Sequence, residues 1–176
     1  MAIISPSILS ADFCRLEEDC RLVLDADGLK CADRIADFKG RAVLTPHTGE
    51  FAAMTGIPAD EVKGNAAELC RRYAAEHSCV LLLKGHESYI SDGREVWCNR
   101  TGNSRLSKGG SGDVLSGIIG GLLAWDVPLL LAARTGAYVL GRSAEFSRTN
   151  ALSHLPDDIM STLPLAFDEL QGVMRL

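Results

Sequence analysis

Short apolar runs, each closed by a polar and glycine-bearing end, recur along this chain. Leu22–Leu24 reads as a strand ending in DADGL, Ala42–Leu44 as a second ending in TPHTGEF, and 79–83 as a third ending in KGHES. Between the second and third, residues 59–77 have helical spacing, with Val62, Ala66, Leu69, Cys70 and Tyr73 on one side. That alternation predicts an α/β domain in which a mainly parallel sheet is covered by helices. Ser88–Ser91 and 94–99 flank Asp92 and Gly93, a dipeptide suited to a two-residue hairpin turn. Two long helices, 113–125 and 128–146, and a last helical piece from Asp157 complete the pattern, with no internal repeat and no low-complexity linker.

Open parallel sheets bind ligands beyond the carboxyl ends of their strands. DAD, TPHTGE and KGHES all fall at such ends, so the pattern predicts one shared cleft. Asp25 and Asp27 are expected there as structural residues that cap and orient the next loop. His47, after Pro46, is open to a reading as a polar turn residue, and Lys84 to one as a solvated lysine with a snorkelling stem.

Composition narrows the partners. The chain has 176 residues, 18 basic against 23 acidic, with a net charge of −5 and no basic stripe interleaved with aromatics. Nucleic acid and anionic membranes are therefore excluded as main partners. The most apolar stretch, 114–140, is interrupted by Asp126, Pro128 and Arg134, and the N-terminus has no basic segment ahead of its apolar residues. A cytoplasmic protein is expected. The six cysteines are scattered without a C-x-x-C pair, which points to small buried thiols rather than zinc or redox chemistry.

The stretch SKGGSGDVLSG at 107–117 carries the chemistry. Gly109, Gly110 and Gly112 open the backbone to a ligand, and the helix that follows directs free N–H groups and a partial positive charge at the same corner. That is an anion site. Asp113 beside it is placed to take the proton from a hydroxyl as the hydroxyl attacks a terminal phosphoryl group. A glycine turn whose aspartate merely favours a helix start is the competing reading. Neither common nucleotide fingerprint, G-x-x-x-x-G-K-[ST] or a strand-opening G-x-G-x-x-G, occurs at this corner.

Together, LVLDADGL at 22–29, TPHTGEFAAMTG at 45–56, VLLLKGHESYI at 80–90 and NRTGNSRLSKGGSGDVLSGIIGGLLA at 99–124 resemble the NAD(P)H-hydrate dehydratases, a branch of the ribokinase-like superfamily, over about residues 22–165. The resemblance implies a ribokinase-like three-layer sandwich, incomplete at its N-terminal side. It implies an enzyme that uses ADP or ATP, with Mg²⁺, to repair hydrated NADH or NADPH by phosphorylating the ring hydroxyl and losing phosphate. On that likeness Asp113 is the base and a substrate contact, His47 and Asn103 bind substrate, and Lys84, Gly85, His86, Glu87, Ser88, Gly110 and Gly112 hold the adenine nucleotide. No metal-ligand cluster stands out in the sequence itself, and a homo-oligomer is left open.

Thr48, His86 and Lys108 depart from the family's usual proline, small residue and alanine or glycine. The larger departure is at the front, where several strand and helix units that normally precede LVLDADGL are missing. In their place IISPSILSADFCRLEEDC, residues 3–20, resembles the opening strand and helix of ribulose-phosphate 3-epimerase, with Ser10 at a substrate-contacting position. The expected division is an epimerase-like piece at 1–21 joined to the carboxyl part of a dehydratase domain at 22–176. A non-catalytic nucleotide-binding fragment and an epimerase-related protein are the alternative functions.

Overall fold

The structure is a computed structural model that describes residues 20–150 and 153–174. The epimerase-like stretch up to residue 19, Ser10 included, lies outside the described residues.

Five strands form one sheet in the order β1 to β5: Leu22–Leu24, Ala42–Leu44, Val80–Leu83, Ser88–Ser91 and Val96–Asn99. The first three run parallel, with Leu22 beside Ala42 and Val43 beside Val80. The hairpin β4–β5 then adds two antiparallel pairings where the sequence predicts a hairpin, but Ser91 pairs with Val96, so the turn takes four residues, 92–95, instead of the two expected. Asp92 Oδ1 accepts from the amides of Arg94 and Glu95, and Gly93 takes a positive φ of 92°.

Side chains alternate across the strands, so the sheet has two cores. Val43, Val80, Leu82 and Ile90 face Leu115, Ile118, Ile119, Ala133, Ala137 and Ile159. These come from α4 (Ser111–Ala124), α5 (Leu129–Phe146) and α6 (Pro156–Met174). Leu44, Leu81 and Leu83 face Phe51, Val62, Leu69, Tyr73 and Ala74 on the other side. These belong to α1 (Thr48–Thr55), α2 (Ala59–Gly64) and α3 (Ala66–Glu76), which share that layer with a 3-10 segment at Ala26–Arg34. The result is a helix–sheet–helix sandwich.

Three boundaries differ from the sequence reading. The helix expected over 59–77 breaks at Asn65, where φ −128° and ψ 25° end one helix and start another; Gly64 and Asn65 are both poor interior helix residues. The helix expected from residue 113 begins earlier, at Ser111, because Gly110 adopts the left-handed conformation and serves as its N-cap. Helix α1 was not anticipated, because its cap is a histidine rather than one of the usual Ser, Thr, Asp or Asn residues.

Among the described cysteines Cys70 and Cys79 are buried and Cys20 is half-buried, as the composition suggests, whereas Cys98 on β5 is exposed. Cys70 donates its thiol toward the carbonyls of Leu81 and Tyr89, and burial pushes both Cys70 and Cys79 up to about 12. Neither offers a thiolate near neutral pH.

The glycines of the two long helices make opposite demands. A Cβ at Gly136 would lie 2.6 Å from Cγ1 of the fully buried Ile119, whereas one at Gly121 meets nothing within 4 Å. Gly121→Ala is therefore expected to stabilise the protein by up to about 1 kcal/mol, the propensity difference between the two residues in a helix interior. Gly136→Ala is expected to destabilise it through overpacking by about 1–3 kcal/mol. Chemical denaturation of the two variants checks the opposite signs.

Candidate active site

The parallel register of β1, β2 and β3 brings three polar strand ends to one level. Thr45 donates both its amide and its hydroxyl to the Leu24 carbonyl, at 3.0 and 3.2 Å. The Lys84 amide donates to the Pro46 carbonyl at 2.8 Å, and a parallel bridge joins His47 to Lys84. Asp25, His47 and Lys84 thus stand side by side at the carboxyl edge.

His47 is the N-cap of α1. Its Nδ1 accepts from the amides of Gly49 and Glu50 at 3.0 and 3.1 Å, while Glu50 Oε2 accepts from the His47 amide at 2.7 Å. This is a capping box with histidine in the usual Ser/Thr place. Because Nδ1 is an acceptor, the neutral ring carries its proton on Nε2, which lies 3.5 Å from Glu50 Oε1 at the exposed end of the side chain. The ring is oriented, and its N–H is presented outward.

Lys84 Nζ donates to Asp25 Oδ1 at 2.7 Å and lies 3.9 Å from Glu50 Oε2. The Lys84 and Asp25 side chains are only 23% and 14% exposed, so the pair is mostly out of bulk water. Asp25 caps the next loop, as expected, through its backbone carbonyl, which accepts from the Gly28 amide at 2.9 Å. Asp25 stands at the N-cap position of the Ala26–Arg34 segment but makes no side-chain cap bond there, and its carboxylate is spent on Lys84 instead. Asp27 is exposed and pairs with Lys30.

The glycine corner reaches the same place. A Cβ at Gly112 would sit 2.8 Å from Asp25 Oδ2 and 3.5 Å from Lys84 Nζ. Gly112 is the second residue of α4, in helical conformation. Its lack of a side chain makes room for Asp25 and Lys84 in their observed places and serves no unusual φ. Gly110, at φ 91°, is the residue that needs glycine for its backbone, and a Cβ there would also strike Pro156 Cγ at 2.5 Å. Asp113 is exposed in the same first turn, and its carboxylate has no hydrogen bond or ion pair with a described residue.

The remaining candidates are dispersed around this centre. Gly85 and His86 follow Lys84 in an exposed turn, and Ser88 opens β4 opposite Asn99. Glu87 turns toward the hairpin, accepting from Tyr89 Oη at 2.9 Å and from Arg100 Nε at 3.0 Å. The Tyr89 hydrogen bond, with help from the Arg100 charge, holds its carboxyl below the usual range. Asn103 caps the short 3-10 turn Ser104–Ser107: its Oδ1 accepts from the Arg105 amide and its Nδ2 donates to the Ala144 carbonyl. One end of that amide caps the local turn and the other holds the TGN segment on α5.

The site thus unites His47, Lys84 and Gly112, with Gly110 and Asp113 on the same turn as Gly112. It adds two residues not anticipated in a site role, Asp25 and Glu50. The sequence carried faint signals for both: a carboxylate at the first strand end, and a glutamate three residues after a histidine cap. Among the described residues no group of three or more His, Cys, Asp or Glu side chains is placed to hold a metal ion, and no helix is long and apolar enough to cross a membrane.

The chain matches the NAD(P)H-hydrate dehydratase family over residues 5–165. It is 38% identical over 152 residues to the ADP-dependent (S)-NAD(P)H-hydrate dehydratase of Bacillus subtilis, a match covering 82% of this chain and 54% of that one. The structure of the ADP/ATP-dependent NAD(P)H-hydrate dehydratase from Bacillus subtilis co-crystallized with ATP/Mg²⁺ superposes with a TM-score of 0.77 at 34% identity, covering 88% of this chain and 56% of that one. A ribokinase-like superfamily protein from Enterococcus faecalis shares the fold, with a TM-score of 0.65 at 23% identity over 85% of this chain and 53% of its own. The chain spans about half the length of the curated relatives it matches. The strand order, the glycine corner and these likenesses agree: the chain belongs to the NAD(P)H-hydrate dehydratase family and carries a ribokinase-like fold.

Proposed function

We propose that this protein is a nucleotide-dependent dehydratase that restores NADH and NADPH from their hydrated forms, using ADP or ATP as phosphoryl donor. One observation carries the reading: Asp25 joins Lys84 to the Gly112 turn, so the KG strand end and the glycine corner are two walls of a single anion site.

In that site the first-turn amides of α4 and the Lys84 ammonium face the phosphate chain, offsetting charge that grows as the phosphoryl group transfers. Asp113, without a hydrogen-bond or ion-pair partner among the described residues and one residue beyond Gly112, takes the proton from the substrate's ring hydroxyl as its oxygen bonds to phosphorus and the bond from phosphorus to the departing AMP or ADP breaks. Phosphate then leaves together with a proton from the adjoining ring carbon, and the ring double bond returns. His47 presents Nε2–H to the substrate, its ring held by the α1 cap. Asn103 belongs to the substrate side through its loop, and Gly85, His86, Glu87 and Ser88 to the nucleotide side.

Mg²⁺ fits this donor set only as a nucleotide-borne ion, because such ions are held by one or two carboxylates and completed by phosphate and water. With Asp25 committed to Lys84, Glu50 is the carboxylate that would hold it. The ion would supply further neutralisation of the phosphate charge. The same reading places the protein in the cytoplasm, in keeping with its free buried thiols, and divides it into an epimerase-like piece at 1–21 and a dehydratase part at 22–176. It extends to a homo-oligomer, supported by the exposed Val96 and Trp97 on the edge strand β5.

Gly112→Val is expected to abolish ADP binding, because its branched side chain would displace Asp25 and Lys84. Calorimetry that finds equal affinity in the variant and the parent would remove the anion-site argument.

Asp113→Asn is expected to retain the fold and most nucleotide affinity while lowering turnover by about 10²–10⁴-fold, the usual cost of a lost general base. Recovery of reduced-nicotinamide absorbance from hydrated NADH, with ADP or ATP and Mg²⁺, provides the measurement. Equal rates for the parent and the Asn variant would sink the assignment.

A further inference from the structure

We propose that Asp25 is a positioning residue of the nucleotide site: it holds the Lys84 ammonium against the first turn of α4, where the phosphate chain must lie. The proposal deepens the nucleotide-binding reading above and rests on it.

A lysine has a long stem with four rotatable bonds, so its ammonium finds a fixed place only when something tethers it. The backbone of Lys84 is pinned by Pro46, but that leaves Nζ free to range. Three observations show where it is held. Asp25 Oδ1 accepts from Nζ at 2.7 Å, with both side chains mostly withdrawn from solvent. The other carboxylate oxygen, Oδ2, lies where a Gly112 side chain would begin, and Nζ is itself 3.5 Å from that point. Glu50, the other carboxylate near Nζ, is farther off at 3.9 Å, and the same Oε2 accepts from the His47 amide, so Asp25 is the closer tether. A strand lysine held by an acidic partner so that it meets nucleotide phosphate is an arrangement that phosphoryl-transfer sites elsewhere depend on.

The role has a distinctive energetic signature. The Asp25 charge by itself repels phosphate; it helps binding only through the lysine it orients. Removing it should therefore harm nucleotide binding when Lys84 is present, and should not when Lys84 is gone.

The test is a double-mutant cycle on ADP affinity, measured by calorimetry without divalent cation, on the full chain and on Asp25→Asn, Lys84→Met and the double variant. Thermal melting reports whether each is folded, and Asp25→Ser replaces the Asn variant if that one melts early. The expected result is a loss of about tenfold for Asp25→Asn alone, the scale of one charge-assisted hydrogen bond, with no loss or a gain from the same change in the Lys84→Met background. Equal losses in both backgrounds would show a merely structural carboxylate and overturn the proposal. So would unchanged or tighter binding by Asp25→Asn alone. If the parent itself does not bind ADP, the nucleotide-site reading falls, and the proposal falls with it.

Discussion

An aspartate and a lysine 59 residues apart meet at 2.7 Å in a half-buried setting, and the arrangement of the site follows from that contact. The pair forms because β1, β2 and β3 run parallel and end at the same level, so residue 25 after β1 and residue 84 after β3 reach toward each other across the end of β2. An isolated charge in that place would carry a desolvation cost that only a close partner offsets. The contact also dictates its surroundings. Asp25 Oδ2 occupies the space beside residue 112, so any larger residue there would displace the pair, and the glycine lets the start of α4 come down onto the strand ends.

The α4 corner is held from behind by a second set of constraints. Gly110 turns the chain with a positive φ and receives the ring of Pro156 from the start of α6. The loop before it is tied to α5: the Gly102 amide donates to Glu145, Thr101 Oγ1 donates to Asn99 and to the Tyr138 carbonyl, and Asn103 donates to the Ala144 carbonyl. Arg142 in turn grips Glu169 of α6 through two bonds of 2.7 Å and also contacts Glu145. The hydrogen bonds that Arg142 donates to Glu169 raise the already high basicity of the guanidinium and keep the Glu169 carboxyl below its ordinary range. A helix N-terminus binds anions well only if its amides are already in place when the ligand arrives. This network supplies that rigidity without contributing a side chain to the cleft.

Chemistry and packing share residues here. His47 completes a capping box and, by accepting at Nδ1, fixes which ring nitrogen carries its proton. Glu50 closes the same box and keeps a carboxylate within 3.9 Å of the lysine. Thus α1, a short helix with one fully buried large side chain in Phe51, orients two polar groups of the site.

The sequence by itself determined the periodic features: the three apolar strand cores, the existence of the β4–β5 hairpin though not the length of its turn, the two long helices and the polar strand ends that converge at one edge. These are legible because burial on a pleated strand or a helical stripe imposes a repeat of two or 3.6 residues on neighbouring positions. It also marked the glycine corner, since Gly110 and Gly112 are residues whose absence of a side chain is itself the signal. Only the tertiary structure decided what those glycines are for, positive φ at Gly110 and room for Asp25 and Lys84 at Gly112. It alone gave the Asp25 carboxylate to the lysine as its counter-ion, and it alone showed the Asn103 amide divided between the Arg105 amide of its own turn and the Ala144 carbonyl of α5. The physical reason is common to all of these. A charge or an amide chooses its partner by distance in space, and partners 41 or 59 residues away leave no periodic trace in the chain.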